Sequence, residues 1–253
     1  MPPSVLRIAI LECDTPVPVV ESKLGSYGDI FTTLLNSGAD LLAKETGQRV
    51  DLKISKHHVV EKDDYPDLEE IDAVLLTGSK HNSFDNTPWI LKLVEFTRKV
   101  LEEQDRVKII GICFGHQIVG RAMGVKVDRS TKGWEVSVTP MSLTQKGKEL
   151  FGVEGDMNLH QMHQDIVYEY PKDVEHLAYS PKCEVQGMYK KGKLITVQGH
   201  PEFSSFITSE ILEVRHTGGV LNDDIYKDAM SRVQSRHDGV VAAKAFLQFV
   251  IDG

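Results

Sequence analysis

Residues 108–119 read Lys108-Ile109-Ile110-Gly111-Ile112-Cys113-Phe114-Gly115-His116-Gln117-Ile118-Val119. An apolar run followed at once by a helical pattern predicts strand, sharp turn and helix, with Cys113 at the apex of the turn. This is the pattern of a nucleophile elbow, in which Gly111 and Gly115 leave room where strand and helix meet. Such a turn strains its apex residue, and the helix dipole favours a thiolate there. We therefore predict Cys113 as a nucleophile, with the backbone N–H of Phe114 directed at an oxyanion.

A buried structural cysteine is the alternative interpretation, because free cysteine usually behaves as a small hydrophobic residue. A second segment favours catalysis, since a β-rich run from residue 194 ends in Gly199-His200-Pro201-Glu202. A nucleophilic cysteine needs a base, and the base needs a group that orients it. His200 and Glu202 share a side of an extended strand end. Glu202 could then hold one imidazole nitrogen while the other faces Cys113, although His-Pro-Glu alone is typical of a surface turn.

Together, the segments 111–117 and 199–202 resemble the two signature motifs of the class I (triad) glutamine amidotransferase family. The resemblance covers most of the chain. It implies that the cysteine, histidine and glutamate of these motifs act as nucleophile, base and orienter, and it implies no cofactor. The expected reaction is attack of the thiolate on the side-chain carbonyl of a γ-glutamyl group, followed by hydrolysis of the γ-glutamyl thioester.

The resemblance also assigns the second half of an oxyanion hole. Thr77-Gly78-Ser79-Lys80-His81 follows a predicted strand, and ligands of open α/β sheets bind at the carboxyl ends of strands. In the family, a matching Gly-Ser loop donates a backbone N–H to the oxyanion. We therefore predict that Gly78 and Ser79 complete the oxyanion hole with Phe114. A plain connection between a strand and a helix is the alternative.

Further substrate contacts follow from the same resemblance. Gln117 matches a family glutamine that contacts the ligand, and His163, Gln164 and Asp165 match a loop that contacts the α-amino and α-carboxylate end of a γ-glutamyl substrate. The chain has Met162 where many glutamine-using members have serine. This departure leaves the backbone contacts in place and the substrate open. Gly133-Trp134-Glu135 is a further candidate for flanking the site.

A narrower resemblance bears on the substrate. The segments 78–85 and 89–93, with His163-Gln164-Asp165, look like a stand-alone branch of the family that includes plant γ-glutamyl peptidases. Those enzymes hydrolyse the γ-glutamyl bond of glutathione or its conjugates, so the favoured hypothesis is a γ-glutamyl peptidase. One alternative is a glutaminase subunit that passes ammonia to a separate synthetase chain. A non-catalytic binding module is the second alternative, and the intact triad argues against it.

The periodicity of the whole chain predicts an α/β fold. Strands and helices alternate up to the elbow, which favours a mostly parallel central sheet flanked by helices, the flavodoxin-like fold that the resemblance implies. Short alternating strands after Gly124 predict a small antiparallel section. A helix is predicted over 27–44, with Asn36-Ser37-Gly38 as an interruption. We predict a catalytic domain over 1–216 and a C-terminal helical extension over 217–253 packed on it.

Composition narrows the remaining function classes. The chain has 253 residues, of which 41% are hydrophobic, and a formal net charge of -8. Scattered basic residues balanced by acids argue against nucleic-acid binding, and no apolar stretch reaches membrane-spanning length. The spacing of the three cysteines suits no zinc site, and the adjacent His57 and His58 should point to opposite faces of a strand. We expect a cytoplasmic protein, with nuclear access as an alternative, that binds neither metal nor ATP.

Overall fold

The first strand of the chain, β1 (Val5–Glu12), shows how the molecule is layered. In the computed structural model, which describes residues 5–252, Leu6, Ile8 and Ile10 pack into one apolar core. Ala9 and Leu11 of the same strand pack into a second core on the opposite face. Successive side chains of a strand point to opposite faces, so β1 is covered on both sides. This burial is the reason that parallel strands read as continuous apolar runs.

Nine strands form the central sheet, in the order β2-β1-β3-β4-β11-β10-β9-β6-β7. Besides β1, these strands are β2 (Asp51–His58), β3 (Ala73–Leu76), β4 (Lys108–Ile112), β6 (Glu135–Leu143), β7 (Met157–His163), β9 (Glu175–Tyr179), β10 (Gly187–Lys190) and β11 (Leu194–Val197). The first five in this order pair in parallel, and the remaining neighbours pair antiparallel. Two shorter strands, β5 (Val127–Arg129) and β8 (Asp165–Val167), form a separate antiparallel pair.

Eight α-helices accompany the sheet in the described part of the chain. They are α1 (Pro18–Leu24), α2 (Tyr27–Thr46), α3 (Pro88–Glu103), α4 (Phe114–Ala122), α5 (Gln145–Phe151), α6 (Ser205–Thr217), α7 (Asp223–Arg232) and α8 (Gly239–Asp252). Helices α2 and α8 contribute to one apolar core, and α3 and α4 to the other. The predicted α/β class is confirmed. The predicted antiparallel section is present as well, and most of its strands extend the same sheet beyond β11.

The expected interruption of the second helix is wrong. Helix α2 is continuous through Asn36-Ser37-Gly38. A Cβ on Gly38 would lie 2.8 Å from the Cβ of Ala243 in α8, so glycine lets the two helices approach closely. A glycine read as a helix break from local propensity therefore marks a helix crossing.

The C-terminal segment forms α7 and α8. Helix α7 lies against β6, where Arg232 donates a hydrogen bond of 2.6 Å to the carbonyl of Val138. Helix α8 is apolar on most of its surface and buries residues such as Phe246 and Leu247 against α2. The division of the chain at residue 216 into a domain and an extension stays a prediction.

Candidate active site

The turn between β4 and α4 holds Cys113 in a strained conformation. Its φ is 49° and its ψ is -100°, in a region that non-glycine residues rarely adopt and that costs on the order of 1–3 kcal/mol. The two glycines of the motif make the turn possible. A Cβ on Gly115 would overlap the carbonyl oxygen of Leu76 and lie 2.6 Å from the Leu76 Cβ, and one on Gly111 would lie 2.9 Å from Thr196 Cγ2. Cys113 therefore sits at the N-terminus of α4, where the helix dipole favours negative charge.

Sheet pairing brings the second motif beside the first. Strands β4 and β11 are direct parallel neighbours, and the Cys113 N–H donates to the carbonyl of Val197 at 2.9 Å. His200 follows β11 by three residues, and its backbone N–H donates to the carbonyl of His160 at 2.7 Å. The carboxyl ends of two adjacent parallel strands thus deliver the cysteine and the histidine to one edge of the sheet.

His200 is held from two sides. Its Nδ1 lies 2.8 Å from Glu202 Oε1, and the ring of Phe203 stacks on the imidazole with centroids 4.0 Å apart. Both His200 and Glu202 are buried, at 5% exposure each. The bond at Nδ1 leaves Nε2 for other partners, and Gly78 lies against both the histidine ring and Cys113, because a Cβ built on it would be 2.7 Å from His200 Cε1 and 3.8 Å from Cys113 Cβ. The three residues of the predicted triad are therefore brought together.

The charges of the site favour an imidazolium. Burial opposes a charge on His200, but the Cys113 thiolate and the Glu202 carboxylate outweigh it and raise the His200 pKa from 6.5 to about 10. An opposite charge at short range stabilises the charged form of a group. The raised pKa means that His200 carries a proton at neutral pH.

His116, the histidine inside the first motif, has a different environment. It is fully buried, and its Nδ1 lies 2.8 Å from Thr196 Oγ1 on β11. Burial, with a smaller contribution from His163, lowers the pKa of His116 to about 3. His116 is therefore neutral, and it connects α4 to β11.

The loop after β3 lies directly against the triad. A Cβ on Gly78 would be 2.7 Å from His200 Cε1 and 3.8 Å from Cys113 Cβ, so only glycine fits there without displacing the histidine. Within residues 5–252, the backbone N–H groups of Gly78 and Ser79 donate to no protein acceptor. Phe114 is the first residue of α4, where a backbone N–H has no acceptor within the helix. These N–H groups belong to the two segments next to Cys113, and their role as the oxyanion hole stays a prediction.

A cavity of about 320 Å³ opens over Cys113, and we call it the nucleophile cavity. Gln117, His163, Gln164 and Asp165, which the resemblance implies as substrate contacts, all line it. Their contact with a substrate stays a prediction. The remaining lining residues are Ser79, Lys80, His81, Asn82, Arg129, Trp134, Met162, Arg215 and Val220.

Gln117 and His163, two of the predicted contact residues, make side-chain hydrogen bonds within the protein. The Gln117 amide donates to the carbonyl of Asp165 at 2.8 Å and accepts from Ser83 Oγ at 2.9 Å. His163 Nε2 lies 3.1 Å from Glu135 Oε2 in a buried pair. Burial would raise the pKa of Glu135, but the hydrogen bond and the electrostatic interaction with His163 lower it. Gln117 and His163 therefore hold the wall of the cavity in place.

Two arginines in the cavity were missed at the sequence level. Arg129 on β5 donates to Asp165 Oδ1 at 2.9 Å, and Arg215 in the last turn of α6 lies over the ring of Trp134, 5.0 Å from its centroid. Neither arginine belongs to a motif. Only the tertiary positions of β5 and α6, which the sequence pattern does not specify, bring these guanidinium groups to the nucleophile.

No group of three or more histidine, cysteine, aspartate or glutamate side chains between residues 5 and 252 is arranged to hold a metal ion. His57 instead pairs with Asp64, and His58 with Glu12. Over the same residues, none of the helices combines the length and the apolar character needed to cross a bilayer.

Comparison with known proteins identifies the family. The family model described as glutamine amidotransferase class-I matches residues 36–214, well over half of the chain. A putative glutamine amidotransferase-like protein of Schizosaccharomyces pombe is 36% identical over 97% of this chain and 99% of its own length. Gamma-glutamyl peptidase 4 of Arabidopsis thaliana is 31% identical over 83% of this chain and 81% of its own length. The chain belongs to the class I glutamine amidotransferase family.

A solved structure agrees at the level of the fold. The crystal structure of a glutamine amidotransferase from Thermotoga maritima superposes with a TM-score of 0.67 and covers 97% of this chain and 98% of that chain. The two sequences share 16% identity, so this similarity concerns the fold alone. Together with the sequence relatives, it confirms the predicted family and fold class.

Proposed function

We propose that the chain is a hydrolase of γ-glutamyl amide bonds, with Cys113 as nucleophile, His200 as acid and base, and Glu202 as orienter. The observation that carries the proposal is the buried His200–Glu202 bond of 2.8 Å beside a cysteine at a strained elbow. That geometry supplies the three components of covalent catalysis, which are a nucleophile, a base and a group that orients the base.

The reaction divides into two steps. The Cys113 sulfur bonds to the γ-carbonyl carbon, and the oxyanion is stabilised by N–H groups at Phe114 and at Gly78 or Ser79. The carbon–nitrogen bond then breaks as His200 gives its proton to the leaving amine. In the second step His200 takes a proton from water, the oxygen bonds to the same carbon, and glutamate leaves as the sulfur is released. Asp165 and Gln164 are suited to the α-amino group of the substrate, and Arg129 is suited to its α-carboxylate.

Among γ-glutamyl amides, the proposal favours a peptide such as glutathione or a conjugate of it. Relatives named gamma-glutamyl peptidases cover most of the chain at about 30% identity. The alternative of a glutaminase subunit with a separate synthetase is supported by relatives named glutamine amidotransferase-like.

For the compartment, the proposal is the cytoplasm. The three described cysteines are free and buried, which fits the reducing conditions there.

The substrate preference can be measured by release of glutamate from glutamine, glutathione and an S-substituted glutathione. We expect kcat/KM for the peptides to exceed that for glutamine by at least about tenfold, since binding energy from remote substrate groups accelerates the reaction. Release from glutamine alone would contradict the peptidase proposal and support an amidotransferase subunit. No release from any substrate by the folded protein would support a binding module.

A pH profile tests the role of Glu202. In Glu202→Gln, one of the two charges that raise the His200 pKa is lost, so His200 should lose its proton at lower pH. The alkaline limb of kcat/KM should therefore move to lower pH, and kcat should fall by roughly 10²- to 10⁴-fold. The matched control is Glu103→Gln in α3, which is exposed and should leave the profile unchanged. An unchanged alkaline limb in Glu202→Gln would exclude Glu202 as the partner that sets the charge of His200.

A further inference from the structure

A second cavity of about 440 Å³ adjoins the nucleophile cavity, and we call it the side cavity. The two share a wall formed by Ser79, Lys80, Met162 and Arg215. Cys113 lines the nucleophile cavity, whereas the proposed general acid, His200, lines the side cavity. A group that leaves the γ-carbonyl with a proton from the histidine would thus depart towards the side cavity.

The side cavity is larger than ammonia requires. Its lining is mainly apolar and includes Pro16, Val17, Ile211 and Val214. Of these, Val214 is 52% exposed, although water-facing positions of a helix are usually polar. An apolar group that binds in a cavity with this lining is stabilised, because its surface and that of the lining are removed from water. Its size and lining therefore suit an amine that carries an apolar side chain.

The charges of the side cavity distinguish one residue. Asp14 and Glu21 are anionic, and the Lys80 ammonium is neutralised by Asp14 at 2.7 Å. Arg215 forms no salt bridge within 4.0 Å among residues 5–252, although Cys113, Asp14 and Asp165 act on its charge from further away. Its guanidinium is oriented instead by the face of Trp134. Arg215 is thus the cation of this cavity whose charge is left for a ligand.

The nucleophile cavity contains a second arginine, Arg129, that can bind the α-carboxylate of the substrate. Arg129 on its wall donates through Nε to Asp165 Oδ1 and through Nη2 to Asn82 Oδ1. Its Nη1 can therefore donate to the α-carboxylate of a γ-glutamyl substrate, and Asp165 Oδ2 can accept from the α-amino group. The guanidinium of Arg215 stands at the boundary that the scissile bond would cross. Arg215 could bind a carboxylate on the leaving side of that bond through two charge-assisted hydrogen bonds.

We infer that Arg215 is a specificity-determining residue that binds the carboxylate of the leaving group, while the side cavity takes an apolar side chain of the same group. The inference rests on the proposed γ-glutamyl hydrolase function. The preferred leaving group is accordingly an amino acid or short peptide with a free carboxylate and an apolar side chain. No new chemical step is involved, because the amine still leaves with the proton from His200.

The test compares γ-glutamyl-leucine, γ-glutamyl-leucinamide and glutamine. The wild type should hydrolyse γ-glutamyl-leucine with a kcat/KM roughly 10- to 100-fold above that for the neutral leucinamide, which is the usual effect of a hydrogen bond to a charged group. In Arg215→Gln this preference should disappear through a loss on γ-glutamyl-leucine alone. Arg215→Lys should restore part of it, and Arg98→Gln, on α3 away from both cavities, should behave as wild type.

The outcomes separate the inference from the function on which it rests. Equal losses on all three substrates in Arg215→Gln would place the α-carboxylate of the glutamyl group on Arg215 and overturn the inference. An unchanged preference would also overturn it. If the wild type cleaves none of the three, the proposed function itself fails.

A second variant tests whether the side cavity binds the apolar side chain. Val214→Glu should lower kcat/KM for γ-glutamyl-leucine relative to γ-glutamyl-glycine by about tenfold. Equal effects on both substrates would exclude the side cavity as the binding site of that side chain.

Discussion

Cys113→Ala should lose at least about 10⁴-fold in kcat for release of glutamate, because loss of the nucleophile from a catalytic triad removes the covalent route entirely. The fold should survive, since the substitution removes one sulfur atom and keeps a Cβ at the same strained φ of 49°. The measurement is glutamate release under single-turnover conditions, with circular dichroism and the thermal midpoint recorded for the same sample.

Cys183→Ala provides the matched control for this loss. Cys183 is also buried and free, and burial raises its thiol pKa, so its thiolate is disfavoured at neutral pH. This control should keep wild-type turnover, apart from a modest loss of stability. A Cys113→Ala protein that turns over at the wild-type rate would rule out the covalent mechanism.

Gly115→Ala should destabilise the protein strongly. The added Cβ would overlap the carbonyl oxygen of Leu76 and press on its side chain, and both belong to a buried strand that cannot move freely. Overpacking of this kind costs about 3 kcal/mol, which corresponds to a fall in the thermal midpoint of roughly 10 °C for a chain of this size. Activity should fall with it, because the shift would move Cys113.

The control for this variant is Gly155→Ala. Gly155 is exposed, and a Cβ built on it meets no atom within 4 Å, so its unfolding free energy should change by less than about 0.5 kcal/mol. Thermal unfolding of both variants against wild type is the measurement. Equal midpoints for Gly115→Ala and wild type would mean that strand β3 and helix α4 do not approach as closely as described here.

The sequence was most informative where a local pattern carries both structure and chemistry. The apolar run, the two glycines and the cysteine predicted strand β4, the elbow and helix α4, because steric requirements at a tight turn leave few alternatives. Parallel pairing of β4 with β11 then explains why two distant motifs meet. The catalytic roles of Cys113, His200 and Glu202 stay predictions until they are measured.

The sequence was least informative where position depends on how elements are arranged in space. Local propensity predicts a helix break at Gly38. The requirement for glycine there comes from the close approach of α8, more than two hundred residues later in the chain. Arg215 belongs to no motif. Its proposed role depends on the side cavity and on the lack of a salt bridge to Arg215 among residues 5–252. Helix α1 gave no clear periodic signal in its seven residues, although it begins at Pro18, a common first helical residue.

The pairing of β4 with β11 also bears on how the protein is made. Gly111 and Thr196 are partners in the register, yet most of the chain between them forms the other half of the sheet. On a ribosome, strand β4 would emerge long before strand β11 and the segment with His200 that follows it. Until β11 fills its place, β4 has an open edge, and edges of this kind promote aggregation. In a nascent chain, Cys113 would therefore lack His200 and Glu202 as neighbours, and the proposed reaction would have to wait for the segment that follows β11.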